Sequence, residues 1–284
     1  MDFFKNSVEI ERKKQMENLK RVTSSLLGLP MVIVVLLLGN KYVIDVALAI
    51  VALISLHEYF NAFSKNYKPI QWLGYLAAGS IAFIHLIDTE MLFKIIPFGI
   101  PFVVAILFIE LIIKNLKISI IDIAISLFGI FYIVFFIMFI PLIAGLEHGK
   151  ILIWYILTTS WGTDIFAYIV GRRIGKHKFS KISPKKSIEG CVAGIIGAVS
   201  LSLIYTFCIN KFLGFLIAPY LHIVLASIIL SIIGQFGDFA ASSIKRFNDI
   251  KDFSNLIPGH GGLLDRIDSL IFIAPFAYIL LMIL

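Results

Sequence analysis

Apolar residues dominate this chain in long runs separated by short polar stretches. A helix that crosses a bilayer needs roughly 20 mostly apolar residues. Nine runs approach or exceed that length, near residues 23–39, 42–60, 70–87, 92–113, 119–144, 151–171, 190–208, 217–243 and 267–284. The fifth and eighth are long enough to be tilted or broken. Connections as short as Asp88–Glu90 and Glu147–Lys150 make their flanking helices antiparallel neighbours. The pattern predicts an all-α, polytopic integral membrane protein with about nine transmembrane helices. No repeat, low-complexity tract or linker divides it, so 1–284 is expected to be a single membrane-embedded domain, with a polar tail over 1–22.

Composition sharpens this picture. The 284 residues are 59% hydrophobic and 15% charged, with mean hydropathy +0.95. An ordinary soluble domain could not cover so much apolar surface. Met1 to Arg21 is polar and mixed in charge, unlike a secretory leader. The two cysteines, Cys191 and Cys208, lie in one apolar run without metal-ligand spacing, and free thiols are expected. The net charge of +7 has a commoner cause than nucleic acid, which is not expected as a partner. Basic residues collect on the cytoplasmic side of membrane proteins.

With a cytoplasmic N-terminus, the inside segments hold Lys5, Arg12, Lys13, Lys14, Lys20, Arg21, Lys65, Lys68, Lys114 and Lys117. A large loop after the sixth run adds Arg172, Arg173, Lys176, Lys178, Lys181, Lys185 and Lys186, and a later one adds Lys245, Arg246, Lys251 and Arg266. The outside keeps Lys41, Lys150 and Lys211. This bias predicts a multi-pass cell-membrane protein whose two charged loops face the cytoplasm.

Those loops carry the candidate chemistry. In "GQFGDFAASSIKRFNDIKDFSNLIPGHGGLLDRIDSL", Asp238, Ser242, Lys245 and Arg246 fall near one helical stripe, as do Asp265, Asp268 and Ser269. Between them lies Pro258-Gly259-His260-Gly261-Gly262, where glycines let backbone N–H groups converge on an anion. Two carboxylate-bearing helix ends around a glycine turn suit Mg²⁺, which is usually held by few carboxylates plus substrate phosphates. A solvated loop would account for Lys251, Asp252 and Asn255, but not for Asp238, which an apolar run leads straight into. In "DIFAYIVGRRIGKHKFSKISPKKSIEG", Asp164 lies inside the apolar run, and Arg172, Arg173, Lys176, Lys185 and Lys186 follow with Ser183, Ser187 and Glu189 interleaved. That mixture suits a triphosphate; its plain alternative is an anchor for anionic lipid headgroups. Asp45, His57, Glu58 and Asp122 sit near the ends of runs, where snorkelling accounts for them. No nucleophile–base pair, Cys/His metal set or Walker-type loop is present.

The stretch "SSIKRFNDIKDFSNLIPGHGGLLDRIDS" closely resembles the C-terminal signature of the phosphatidate cytidylyltransferase (CDP-diacylglycerol synthase) family. "DIFAYIVGRRIGKHKFSKISPKKSIEG" looks like its second block. The resemblance covers about residues 160–284 and implies synthesis of CDP-diacylglycerol and pyrophosphate from CTP and phosphatidic acid in phospholipid biosynthesis. It also implies a need for Mg²⁺, a second cation being admitted. By position it implies Asp238 and Asp265 as leading metal ligands, with Asp268 in support. Lys245, Arg246, His260 and Arg266 would contact phosphates, beside Gly261 and Gly262. Ser183, Lys185 and Lys186 would hold the nucleotide, with Asp164, Arg172 and Glu189 nearby. Ala241 departs from the family pattern, which often has an acid before the signature serine. Membrane lipids are further partners, and a homodimer is admitted. The competing readings are a CTP-dependent lipid kinase, a cytidylyltransferase for another lipid phosphate, and a transporter of anionic solutes.

Overall fold

The computed structural model describes residues 30–115, 117–180, 182–184 and 186–283. The polar tail over 1–22 and Lys185 lie outside the described residues. Residues 30–38 are helical. Then follow α1 (Lys41–Phe63) and α2 (Gln71–Ser80), which tightens into a 3₁₀ turn at Ile81–Leu86, and α3 (Thr89–Ile113). Helix α4 (Ile120–Gly129) passes through a π-helical turn, Ile130–Phe135, towards α5 (Phe139–Ala144). Helices α6 (Gly149–Ile174), α7 (Ile188–Leu213), α8 (Tyr220–Phe247) and α9 (Leu264–Ile283) complete the chain. Two isolated bridges, Lys178 with Ser187 and Ile257 with Gly261, are the extended pairings among the described residues.

Among the described residues, six helical segments are long and apolar enough to cross a membrane: Lys41–Phe63, Thr89–Ile113, Ile120–Ala144, Ile188–Leu213, Tyr220–Phe247 and Leu264–Ile283. The expected run at 70–87 is broken by its 3₁₀ turn. Helix α6 has 26 residues, but Thr158, Thr159, Ser160, Thr163 and Asp164 dilute its apolar character. Of the run at 23–39, only its later part is described.

Local chemistry sets where these helices start. Asn40, Asp88, Ser119 and Ser187 each accept a backbone N–H from the first turn of α1, α3, α4 and α7, respectively, satisfying donors that have no partner within the helix. Ser119 and Asp122 complete a reciprocal capping box.

The core has two main parts. One gathers Tyr155, Ile143, Ile223, Leu230 and Ala274 towards one end of the bundle. The other joins Leu56, Tyr59 and Phe60 of α1 to Ile133, Ala241, Leu264 and Ile271. Helix α3 is peripheral, burying Leu107 and Leu111, and the rest of it suits lipid. Helices α6 and α7 touch almost backbone to backbone. A Cβ on Gly194 would lie 2.9 Å from the Thr163 carbonyl oxygen, and one on Gly162 3.1 Å from Ala198 Cα. Buried hydroxyls hold the neighbouring seams, with Thr163 Oγ1 donating to Ser231 Oγ at 2.8 Å and Thr159 paired with Ser202 at 2.8 Å.

Gly194→Ala is expected to destabilise the purified protein by about 1–3 kcal/mol, because the opposing carbonyl cannot yield. Gly79→Ala, where a Cβ meets nothing within 4 Å, should be neutral or stabilising. Thermal unfolding in detergent measures both.

Candidate active site

Helix α8 carries Asp238 and Lys245 on one face and ends at Phe247. Asn248 caps it by donating its Nδ2 to the Ile244 carbonyl at 3.0 Å. Asp249 then turns the chain with φ +53°, an angle open to Asn and Asp at modest cost. The loop folds back through the Ile257–Gly261 bridge, using positive φ at Gly259 (+78°) and Gly261 (+82°), which only glycine adopts freely. Helix α9 begins at Leu264, so Asp265, Arg266 and Asp268 occupy its first turns.

Asp265 ties these pieces together. Its Oδ1 accepts Lys245 Nζ at 2.6 Å, and its Oδ2 accepts the N–H of Phe253 at 2.8 Å and of Gly262 at 3.0 Å. Both partners of the ion pair are buried, and Lys245 also lies over the Phe253 ring at 5.4 Å. A carboxylate offers about four acceptor positions, so most of this one is committed to the fold, and one position on Oδ1 remains.

The second charged loop is a small hairpin. Phe179 N–H donates to Lys186 at 3.1 Å and Ile188 N–H to His177 at 2.9 Å. Glu189 closes its base through the His177 ring at 2.6 Å and backbone N–H at 3.2 Å. The loop reaches α8 in two places: Phe179 stacks on Phe239 at 4.7 Å, and Lys186 pairs with Asp238 while lying over the Phe239 ring at 4.4 Å.

A cavity of about 750 Å³ opens between these elements. Asp164, Arg172, Lys186, Asp238, Lys245, Asp265, Arg266 and Asp268 all line it, so one face of the bundle unites both charged stretches. The expected group is not wholly assembled. Arg246, one position beyond Lys245, projects from a different side of α8 and donates to the Ile250 carbonyl at 3.0 Å, closing the helix end. Ser183 takes Lys186 N–H in a turn, Glu189 holds His177, and His260, Gly261 and Gly262 shape the loop; none of these lines the cavity. Lys185 lies outside the described residues.

Other residues escaped the sequence reading. Asp252 and Lys178, which look like loop and anchor charges, line the cavity, as do Cys191 and Gln235. Snorkelling does not describe Asp45, Asp122 or Glu58, which are 0%, 5% and 3% exposed. Asp45 pairs with His85 at 2.7 Å, Asp122 receives Lys68 N–H at 2.6 Å, and Glu58 binds the C-terminal loop.

The donor chemistry suits a hard cation. Asp238, Asp268 and Asp164 present carboxylate oxygens to one cavity, though among the described residues no three acidic, His or Cys groups form a ready cage. That is what Mg²⁺ needs when substrate phosphates supply further ligands.

An apolar helical bundle with a cavity of mixed charge where both charged stretches meet has the form of a multi-pass membrane protein. The cytidylyltransferase family model matches residues 19–284, and the chain belongs to that family. It is similar to proteins named phosphatidate cytidylyltransferase. The one from Bacillus subtilis is 42% identical over 136 residues, 48% of this chain and 49% of that protein. The one from Thermotoga maritima is 35% identical over 158 residues, 55% and 58% of the two chains. The one from Haemophilus influenzae is 42% identical over 132 residues, 45% of each. The chain thus spans 49% and 58% of the lengths of the first two.

Asp265→Asn should cost about 3–5 kcal/mol, since it leaves Lys245 buried without its counter-charge. Asp238→Asn, whose pair with Lys186 is partly exposed, should change stability by less than about 1 kcal/mol. Thermal unfolding of the two variants against the parent protein tests the contrast.

Proposed function

We propose that this protein transfers the cytidylyl group of CTP to the phosphate of phosphatidic acid, forming CDP-diacylglycerol and pyrophosphate in phospholipid biosynthesis. The observation that carries the reading is the one cavity lined by Asp164, Asp238, Asp265 and Asp268 together with Arg172, Lys186, Lys245 and Arg266. Membership of the cytidylyltransferase family and the names of the relatives support it.

The chemistry needs no strong base. A phosphatidate phosphate oxygen, already anionic near neutral pH, forms a bond to the α-phosphorus of CTP. The bond from that phosphorus to the bridging oxygen breaks, and its electron pair leaves with pyrophosphate. Bringing two polyanions together is the obstacle, so positioning and charge stabilisation dominate. Arg172 and Arg266 would receive phosphate oxygens at the cavity wall. Lys186 would exchange Asp238 for a phosphate oxygen as the triphosphate enters, freeing the Asp238 carboxylate. Lys245, bound to Asp265, would hold the first turn of α9 rather than the substrate. Asp238 and Asp268, with the remaining acceptor position of Asp265, would hold Mg²⁺, which supplies charge neutralisation of the phosphates when bound.

The proposal includes a cytoplasmic N-terminus, about nine spans and a cytoplasm-facing cavity in the cell membrane. The basic residues of both loops support it, because the cavity lies at their end of the bundle. The lipid would keep its acyl chains in the bilayer.

Purified protein should release pyrophosphate only when CTP, a divalent cation and phosphatidate are all present. Asp238→Asn should abolish that release while the protein stays inserted and helical. Release of CDP in place of pyrophosphate would mean a lipid kinase. Solute uptake into vesicles without CTP turnover would mean a transporter.

A further inference from the structure

The glycine loop is gripped from two sides, and one grip comes from the other half of the chain. Glu58 lies on α1, about two hundred positions earlier, and is 3% exposed. Its Oε1 accepts Ser254 Oγ at 2.6 Å and Leu263 N–H at 2.9 Å, while its Oε2 accepts Leu264 N–H at 2.8 Å. Leu264 is the first residue of α9. Glu58 therefore does for α9 what Asn40 or Ser119 does for its own helix: it satisfies N–H groups left without intrahelical partners. A carboxylate is well suited to this, because a helix N-terminus favours negative charge. Here the cap is tertiary.

The paired glycines show how tight the grip is. Gly261 needs to be glycine for its backbone angle. Gly262 is not among the positive-φ glycines, so its backbone makes no such demand. A Cβ built on Gly262 would lie 2.6 Å from Glu58 Oε2 and 2.8 Å from its Cδ. The Glu58 carboxylate cannot swing aside without giving up buried hydrogen bonds to the loop. On its other side, Gly262 N–H is held by Asp265 at 3.0 Å. The residue is clamped between two carboxylates, one from each half of the chain.

We propose that Glu58 is a positioning residue for the cavity. It sets the first turn of α9, and through it the location of Asp265, Arg266 and Asp268, and it is the reason position 262 carries glycine. The catalytic consequence rests on the function proposed above; the grip on the loop does not.

Glu58→Gln keeps the size of the side chain but turns an N–H₂ donor against one of the donors it must receive. Loss of alignment by about 1 Å can cost a hundredfold in rate. Per folded molecule, Glu58→Gln should lower kcat for pyrophosphate release by about tenfold or more, with a much smaller change in KM for CTP. Hydrogen exchange at residues 262–264 should speed up. Gly262→Ala should be strongly damaging in the parent protein, yet nearly harmless beside Glu58→Ala, where the obstructing carboxylate is gone. Parental kcat and parental exchange in Glu58→Gln would overturn the proposal. So would a loss explained entirely by a smaller folded fraction, or penalties of Glu58→Ala and Gly262→Ala that simply multiply. If the parent protein released no pyrophosphate, the functional reading would fail, while the exchange data would still decide whether Glu58 holds the loop.

Discussion

A buried charge in an apolar bundle must be answered on every side, and the Asp265 carboxylate is where this protein meets that demand. Lys245 supplies the counter-charge from the end of α8, and Phe253 and Gly262 supply N–H groups from the loop. Removing either side would strand the other in a medium that tolerates unpaired charge poorly. The arrangement forces α8, the glycine loop and α9 into one fixed relationship. Everything else in the cavity is measured from that junction.

The charges around the cavity divide by how far they are already committed. Lys245 and Asp265 are occupied with each other and with the backbone. Asp238 and Lys186 face each other in a partly exposed pair, a weak link by comparison and one that an incoming polyanion can replace. Asp164, Asp268, Arg172 and Arg266 complete the wall. A rigid frame with a few exchangeable charges is what transfer between two anions calls for, because the frame holds geometry while the exchangeable groups neutralise phosphate. The stacking of Phe179 on Phe239 keeps the basic hairpin against α8, so that Lys186 is held at the cavity.

Much of this was legible in the sequence. Apolar runs mark helices, and the segments from α1 to α9 fall close to the runs read from hydropathy. Charge density within apolar surroundings marks the cavity, and Asp164, Lys186, Asp238, Lys245, Asp265 and Asp268 do meet there. What the sequence hid is mostly direction. Arg246 and Lys245 are adjacent in sequence but point to different sides of one helix. Asp252 reads as an ordinary loop charge because nothing local says that its loop folds back over a cavity. Glu58 and Asp45 carry no local sign of their partners, Ser254, Leu263, Leu264 and His85, since these are brought to them only by packing. The failure of the run at 70–87 to form one long helix is likewise a matter of its local winding, which its apolar content does not reveal.

The central claim is that this cavity receives CTP, and Cys191 reports on it directly, because that residue lines the cavity while Cys208 lies several turns further along α7. The measurement is the rate of maleimide labelling of Cys191 in a Cys208→Ala protein, with and without CTP and Mg²⁺. The account predicts that labelling slows in step with CTP concentration and that Asp238→Asn or Lys186→Ala weakens this protection. Labelling that proceeds at the same rate at saturating CTP, in protein that turns CTP over, would contradict it.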